Sequence, residues 1–378
     1  MRRASLVPGG PVGPAPPPPG FPWELAERCV IPVIFAHAAA AILSVPAAIL
    51  GFHSASMLRL FLWIAPAVLA ALFFFHNLKV NAAGKAVLIT GCESRIGFAL
   101  ARQLDELGFT VFAAFEDTGG EKSSSELTTT TSALKEQSSG RVHVVQLDVS
   151  SEEQIHKVKE YIQENLPRGA TGVWAVVNLG VWACFGEAEW LPFGAVKRCA
   201  DVNLLGSIRL TQIFLPQLRR TKGRVVNVVS ALGSIPTPLR SPYCACAAAV
   251  RAFSDCLRLE MRRWGVDVVV VTPGESLSGS FLTEERLVDQ ARSMWAWLGD
   301  AAKGEIGQDY FEMKVRSLRP YVEMQQPEVE LYAVLRALTD AVSRTFPLHR
   351  YQPVQPQERL KTFVAEHMPR SFYEIVYG

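Results

Sequence analysis

The stretch KAVLITGCESRIGFALARQLDELG, residues 85–108, contains a strand, a glycine turn and a helix in succession. Lys85 to Thr90 is a short apolar run typical of a strand, and FALARQLDELG has a helical pattern. A glycine turn that leads from a strand into a helix N-terminus presents backbone N–H groups and the helix dipole to anionic phosphates. Its position at the first strand-to-helix switch predicts a nucleotide site.

Apolar runs and helical patterns alternate through the rest of the chain. Amphipathic stretches such as SEEQIHKVKEYIQENL separate the runs. Continuous apolar strands that alternate with helices predict an α/β fold with a doubly wound parallel sheet, covered on both faces. Five further strands are predicted, within residues 110–115, 142–149, 172–180, 223–230 and 266–274.

Two long runs without Asp, Glu, Lys or Arg precede this part. They extend from Cys29 to Leu58 and from Leu60 to Leu78, and Arg59 separates them. A membrane-spanning helix needs about 20 apolar residues. Residues 29–78 therefore predict a membrane anchor, with a two-helix hairpin favoured over a single span. The Pro/Gly-rich residues 1–28 predict a disordered tail.

Basic residues flank both ends of the anchor. Arg2, Arg3 and Arg28 precede it, and Lys79 and Lys85 follow it. Because cytosolic flanks carry an excess of Lys and Arg, a hairpin would place both ends in the cytosol. A single span leaves a lumenal position open for the globular part.

Composition excludes some classes of partner. The chain has 378 residues, 49% hydrophobic, and its formal net charge of +2 gives no bulk attraction for nucleic acid. The cysteines lack metal-ligand spacing and their number is odd, so we expect reduced thiols and no metal. The seven positions are Cys29, Cys92, Cys184, Cys199, Cys244, Cys246 and Cys256.

The phrases KAVLITGCES, LDELGFTVFA, RSPYC and AFSDCLRLEM resemble the short-chain dehydrogenase/reductase family. The resemblance covers about residues 85–274 and continues more loosely to the C-terminus. It is greatest to the branch of 3-hydroxybutyrate, 17β-hydroxysteroid type 2 and retinol dehydrogenases, with insect Shroud-type proteins nearby. It implies a Rossmann-like domain over 84–300, behind N-terminal transmembrane helices. Residues 301–378 would form a substrate-side or membrane-proximal extension.

The resemblance assigns a diphosphate-binding turn to the stretch TGCESRIG. The family motif T-G-x-x-x-G-x-G has Arg95 where its middle glycine belongs. A guanidinium there either pairs with the diphosphate or obstructs it, and both alternatives stay open. The cofactor-binding residues implied in this turn are Thr90, Gly91, Arg95, Ile96 and Gly97.

Further cofactor contacts follow from the same resemblance. Glu116 and Asp117 lie where an acidic side chain bonds a ribose 2′-hydroxyl and repels a 2′-phosphate, which favours NAD over NADP. The alternative is a solvated acidic pair that begins a loop. The family's N-N-A-G stretch reads NLGV at 178–181, so only its first residue, Asn178, is kept. Asp148, at the adenine, and Pro273 and Gly274, in a P-G turn, complete the set.

Three of the family's four catalytic side chains are matched. Asn203 would hold a proton-relay water, Ser230 would bond the substrate oxygen, and Tyr243 would be the general acid/base. The fourth position, a lysine in the family, is Ala247. A lysine cation there would stabilise tyrosinate. Arg251, one turn further, either lends its charge or forms a surface salt bridge.

Two functions are therefore expected. The first is a membrane-bound, NAD-linked oxidoreductase of a hydroxyl/keto steroid, retinoid or similar lipid, with FLTEERLVDQARSMWAWLGD, residues 281–300, as a lid. The resemblance implies the endoplasmic reticulum with a cytosolic catalytic domain, or alternatively a mitochondrial membrane. A homodimer is a further expectation. The second is an inactive pseudoenzyme that binds a lipid, nucleotide or partner protein.

Overall fold

A computed structural model describes residues 23–51, 56–116, 121–274, 284–319 and 328–377. The chain divides into two units. One holds Ala82–Val342 and His349–Gly378, and the other holds Pro17–Asn81 and Ser343–Leu348.

The first unit contains a seven-stranded sheet with the order β3-β2-β1-β4-β5-β6-β7, in which every neighbouring pair is parallel. This confirms the predicted α/β, Rossmann-like class. The strands are β1 Ala86–Ile89, β2 Thr110–Phe115, β3 Val142–Gln146, β4 Val173–Asn178, β5 Arg224–Val228, β6 Asp267–Val271 and β7 Arg350–Tyr351.

The strand order reverses at β1, which pairs with β2 on one side and β4 on the other. Ile89 at the end of β1 lies beside Ala113 of β2 and Val177 of β4. In open parallel sheets, ligands bind outside the carboxyl ends of the strands at such a switch point. The glycine turn therefore stands where the fold offers a cleft.

Helices connect the strands and supply the apolar layers of the core. Buried residues of β1 and β4 pack with Ile155, Phe214 and Leu257 from three different helices. The helices of this unit are α3 Arg95–Glu106, α4 Glu121–Glu136, α5 Glu152–Glu164, α6 Phe193–Ala200, α7 Ser207–Thr221, α8 Ser241–Met261, α9 Glu284–Trp297, α10 Asp300–Ile306, α11 Gln308–Arg316, α12 Glu328–Ser343, α13 Pro356–His367 and α14 Arg370–Tyr377. A π-helical segment, Asp201–Gly206, precedes α7, and 3-10 turns occur at Ala231–Gly233 and Arg262–Trp264.

The chain beyond residue 300, predicted to be an extension, also contributes to the sheet. All six predicted strands are present, but the seventh, β7, comes from the supposed C-terminal extension and pairs with β6. α12 also reaches back to the sheet, because Arg224 Nη1 donates to Ala341 O at 2.8 Å. A two-residue strand is too short to produce an alternating pattern, so it cannot be predicted from the sequence.

The second unit contains the two predicted apolar helices, α1 Trp23–Ile49 and α2 Met57–Asn77. Both are long and apolar enough to cross a membrane, and only 11% and 6% of their spans are buried, unlike core helices of a soluble protein. His37 and Phe61 form an edge-to-face contact between them, with ring centroids 5.4 Å apart. α1 begins at Trp23, earlier than expected, while residues 1–22 of the predicted tail lie outside the described residues.

The segment Ser343–Leu348 belongs to this second unit. Thr345 N donates to Leu78 O at 2.8 Å, just beyond the end of α2. The buried Arg344 donates from Nη1 to His76 O at 2.9 Å, and it also contacts the His76 ring. The end of α2 is therefore held by chain that lies more than 250 residues later in the sequence.

Candidate functional site

The turn after β1 is built on two glycines that tolerate no side chain. Gly91 has φ +74°, and a Cβ there would lie 2.8 Å from Gly180 Cα. A Cβ on Gly97 would lie 2.3 Å from Gly91 O. Ser94 starts α3, because its Oγ accepts from Gly97 N at 3.1 Å and donates to Gly91 O at 2.7 Å. The result is a tight turn that opens onto a helix N-terminus.

Thr90 fastens this turn to the loop after β4. Its Oγ1 accepts hydrogen bonds from Leu179 N at 3.0 Å and Gly180 N at 3.1 Å. Gly180, part of the NLGV departure from the family pattern, lies directly against Gly91, which is the residue that must lack a side chain here. The altered loop therefore still seals the switch point between β1 and β4.

Arg95 and Ile96 form the first turn of α3. Ile96 is buried and anchors the helix in the core. Arg95 is exposed and makes no side-chain hydrogen bond or ion pair with the described residues. Its guanidinium is consequently available to an anion at this helix N-terminus.

Asn178, predicted to bind the cofactor, is instead engaged inside the protein. Its Nδ2 donates to Asn227 Oδ1 at 2.7 Å and to Thr211 Oγ1 at 3.2 Å. Asn227 continues the network to Ser254 Oγ at 2.8 Å. These buried bonds join β4 and β5 to α7 and α8, so the N–H groups of Asn178 hold the sheet to its helices.

Carboxylates gather at the carboxyl ends of β2 and β3. Glu116 N donates to Glu93 Oε2 at 3.5 Å, while Glu116 Oε1 pairs with Arg198 Nη2 at 3.1 Å. Asp148 Oδ1 accepts from the amide and hydroxyl of Ser150 at 2.8 and 2.6 Å. The predicted ribose-binding Glu116 is therefore ion-paired rather than simply solvated.

The crowding of these acids changes their titration. Desolvation raises the pKa of Glu93 to about 7, and the Glu116 charge adds to this. Desolvation and the Asp148 charge raise the pKa of Glu116, while Arg198 and Arg286 oppose the rise. Glu93 was not singled out from the sequence, although its place inside the glycine turn is visible there.

Asn203 lies in the π-helical segment and pairs with both backbone groups of one residue, Trp182. Its Oδ1 accepts from Trp182 N at 2.8 Å, and its Nδ2 donates to Trp182 O at 2.7 Å and to Cys199 Sγ at 3.2 Å. Cys184 and Cys246 lie in the same buried cluster as Cys199, and Cys184 raises the pKa of the Cys199 thiol. This buried thiol cluster could not be predicted from the sequence, because its three cysteines are widely separated along the chain.

Ser230 and Tyr243 lie on the loop after β5 and at the start of α8. Ser230 Oγ accepts from Leu232 N at 3.2 Å and caps the 3-10 turn. Tyr243 is buried, with its ring centroid 6.3 Å from that of Phe185. One apolar cluster includes Tyr243, Leu232 and Cys199. Tyr243 belongs to this cluster itself, while Leu232 bonds Ser230 and Cys199 contacts Asn203, so the cluster borders all three predicted catalytic residues.

Ala247 faces an apolar neighbourhood. It is buried in a cluster with Val229, Val250 and Val270. A Cβ on Gly233 would lie only 3.1 Å from Ala247 Cβ, so α8 approaches the loop after Ser230 closely here. A longer side chain at residue 247 must displace some of these contacts.

Arg251 forms a salt bridge, as one of the two alternatives predicted. Its Nη1 donates to Ser234 Oγ and to Glu366 Oε1 of α13. Ser234 Oγ also donates to Glu366 Oε1 at 2.7 Å. The guanidinium thus ties α8, the loop after Ser230 and α13 together, and it does not reach back toward Tyr243 as an unpaired charge.

The P-G turn after β6 also contacts α13. Pro273 O accepts from Ala231 N at 3.2 Å, which joins this turn to the loop after Ser230. A Cβ on Gly274 would lie 2.2 Å from Glu358 Oε2. Helix α13 therefore lies across the ends of β5 and β6, a placement that no sequence motif announced.

The predicted lid is helical where the structure describes it, over α9. Leu287 and Met294 of α9 are buried in the cluster that contains Tyr243. Gln290 Nε2 donates to Ala183 O at 2.9 Å, so α9 is also fastened to the loop after β4. Residues 281–283 of the lid lie outside the described part of the chain, as does Asp117 of the predicted acidic pair.

The sheet order and the glycine turn at its switch point define a nucleotide-binding protein of the doubly wound α/β class. The family model described as short chain dehydrogenase matches residues 85–286. The chain belongs to the short-chain dehydrogenase family and is an oxidoreductase by descent.

Relatives with known activities cover most of the chain. The mitochondrial D-beta-hydroxybutyrate dehydrogenase of Rattus norvegicus is 38% identical over 78% of this chain and 84% of its own length. Estradiol 17-beta-dehydrogenase 2 of Mus musculus is 34% identical over 77% and 74%. Retinol dehydrogenase 7 of Rattus norvegicus is 32% identical over 75% and 86%. A solved short-chain dehydrogenase from Streptomyces avermitilis shares the fold, with a TM-score of 0.55 and 24% identity over 78% of this chain and 96% of its own.

Proposed function

We propose that this chain is a membrane-anchored, NAD-linked oxidoreductase that interconverts hydroxyl and keto groups on a steroid, retinoid or similar lipid. The observation that carries the proposal is the apolar cluster that contains Tyr243 and borders Asn203 and Ser230. Two relatives support the substrate class, since their names give estradiol and retinol as what they act on.

The residues at the switch point fit a dinucleotide. Gly91 and Gly97 leave backbone space at the N-terminus of α3, and the unpaired Arg95 guanidinium suits a diphosphate. Glu93 and Glu116 would lie toward the adenosine ribose and repel a 2′-phosphate, which favours NAD over NADP. When bound, the nicotinamide would supply or accept the hydride.

The chain's own residues would move the proton. Ser230, oriented by its bond from Leu232 N, would hydrogen-bond the substrate oxygen, and the Tyr243 hydroxyl would give or take the proton. Asn203 holds the Trp182 backbone, and the apolar cluster excludes water from the reacting groups. With Ala247 in place of a cation, tyrosinate loses its stabilisation, so we expect turnover well below that of a lysine-containing relative.

The apolar helices α1 and α2 support a membrane location. Their flanking basic residues favour a cytosolic catalytic domain, and we propose the endoplasmic reticulum, with a mitochondrial membrane as the alternative. An anchor of this kind suits a substrate that partitions into the bilayer. Protease treatment of intact microsomes tests the orientation. Digestion of the globular domain indicates a cytosolic position, and protection indicates a lumenal one.

The second candidate is a pseudoenzyme that binds a lipid, a nucleotide or a partner protein. The packing of Ala247 among Val229, Val250 and Val270 favours it, because an apolar contact occupies the place expected for a catalytic cation. This candidate keeps the fold and predicts ligand binding without turnover.

The two candidates separate in one titration. Purified full-length chain in nanodiscs is titrated with NADH, followed by nicotinamide fluorescence, and is then assayed with hydroxysteroids and retinol. Saturable binding with turnover supports the oxidoreductase, and binding without turnover supports the pseudoenzyme. Absence of binding at millimolar NADH eliminates the proposed NAD-linked activity.

A further inference from the structure

A groove lies between α9, the helix of the predicted lid, and α11. Its cavity volume is about 520 Å³, within the range of small-molecule sites. We propose that this groove binds an amphiphile with one apolar chain and an anionic head group, taken from the membrane in which the chain is anchored. This inference goes beyond the proposed oxidoreductase activity.

The floor of the groove is apolar. It is formed by Leu287, Ala291 and Trp295 of α9 and by Phe311 and Val315 of α11. The Trp295 and Phe311 rings contact each other at a centroid distance of 4.9 Å. This aromatic pair joins the two helices at the base of the groove. An alkyl chain laid on this floor would bury apolar surface at about 25 cal/mol per Å².

The rim carries more positive than negative charge. Arg292, Arg316 and Arg319 line it together with Glu284 and Glu312. Glu312 is bonded to Arg316 at 2.9 Å. The remaining arginines are less constrained: Arg292 is exposed and its nearest carboxylate is 3.7 Å away, while Arg319 has no ion pair within the described ranges. Guanidinium groups in this state suit a carboxylate or phosphate head group.

A membrane amphiphile matches this combination of floor and rim. The two apolar helices keep the chain at a bilayer, where such molecules are concentrated. Tyr243 does not line the groove, so the site differs from the proposed catalytic centre. However, Leu287 and Phe311 belong both to the groove and to the apolar cluster around Tyr243. A ligand bound in the groove would therefore restrict the motion of side chains that pack in the same cluster as Tyr243.

Photolabelling tests the site without any need for turnover. Full-length chain in phosphatidylcholine nanodiscs is labelled with a diazirine derivative of palmitate, and the labelled peptides are mapped by mass spectrometry. We expect label within residues 284–319. Excess oleate should displace it, and oleyl alcohol or inorganic phosphate should displace at least tenfold less of it. Failure of the dehydrogenase assignment would leave this result unaffected.

Matched variants separate the groove from general lipid contact. Ala291→Trp fills the floor and should remove most of the label from 284–319, whereas Ala301→Trp, on exposed α10, should retain it. The double change Arg292→Glu and Arg319→Glu should lower labelling at least fivefold, and Arg262→Glu, on an exposed 3-10 turn, should not. Label confined to residues 23–77, or unchanged in Ala291→Trp, overturns the site. Equal displacement by oleyl alcohol overturns the anionic head group.

Discussion

The two ends of the proposed cofactor cleft depart from the family pattern in different ways. At the glycine turn, Arg95 replaces a glycine, yet it is exposed and the backbone of the turn is intact. In the second turn of α8, Ala247 stands where the family resemblance implies a lysine, and it packs into an apolar cluster. The first change adds a cation where a phosphate would bind, and the second removes a cation where a proton would move. The comparison leads us to expect a chain that keeps the backbone geometry for a dinucleotide while its proton transfer is weaker than in the family.

The largest effect should come from the proton-transfer end. Tyr243→Phe removes the hydroxyl but keeps the buried ring, so we expect turnover to fall by about 10²–10⁴ with NADH affinity unchanged. Steady-state rates on whichever substrate the panel identifies, together with NADH fluorescence, measure both quantities. Retained turnover in this variant would show that Tyr243 is not the acid/base.

The next largest effect should be a loss of cofactor affinity when the backbone of the glycine turn is disturbed. Gly97→Ala places a Cβ where Gly91 O already lies, so we expect NADH affinity to fall by about 10²-fold or more because the turn must open. Gly194→Ala, on α6, meets nothing within 4 Å and is the control. Circular dichroism confirms that both variants fold, and unchanged NADH affinity in Gly97→Ala would contradict the assigned cradle.

Restoring the missing cation should sharpen the comparison. We expect Ala247→Lys to raise turnover about tenfold by favouring tyrosinate, and to cost about 1–3 kcal/mol of unfolding free energy through overpacking. Ala247→Met adds similar bulk without charge, so it should show the stability loss alone. Equal turnover in the two variants would mean that the cation does not reach Tyr243.

The smallest effect should be a pH dependence of cofactor choice. With a pKa of about 7, Glu93 is mostly neutral at pH 6 and ionised at pH 8, so its repulsion of a 2′-phosphate grows as pH rises. We expect the ratio of NADPH to NADH dissociation constants to increase about threefold to fivefold over this range, consistent with one added charge near the ligand. Glu93→Gln should remove the part of this pH dependence that comes from Glu93. Only the part due to ionisation of the 2′-phosphate should remain. An identical pH profile in this variant would exclude Glu93.

Much of the fold was predictable because its patterns are long. The six apolar strands, the glycine turn and the two apolar helices each extend over enough residues to show their periodicity. Strand β7 was not predictable, since two residues carry no period and its partner β6 lies about 80 residues away in sequence.

The candidate site was predictable only in part. Motif spacing located Ser230 and Tyr243, but the engagement of Asn178 with Asn227 depends on strand pairing that the letters do not specify. The contact of Cys199 with Asn203 was missed for a different reason. One helical turn separates them, so they share a face of the helix, but a cysteine and an asparagine at this spacing do not by themselves indicate a hydrogen bond.

The bond between Arg344 and His76 has a practical consequence for protein production. A version shortened to begin at residue 82 would lose the apolar helices, but it would also deprive the buried Arg344 of its carbonyl acceptor. The same truncation removes Phe75, whose ring contacts the Phe346 ring edge to face, so an arginine and an aromatic side chain would both lose contacts. Soluble preparations should therefore carry a change at residue 344 as well, or keep the end of α2 in the expressed polypeptide.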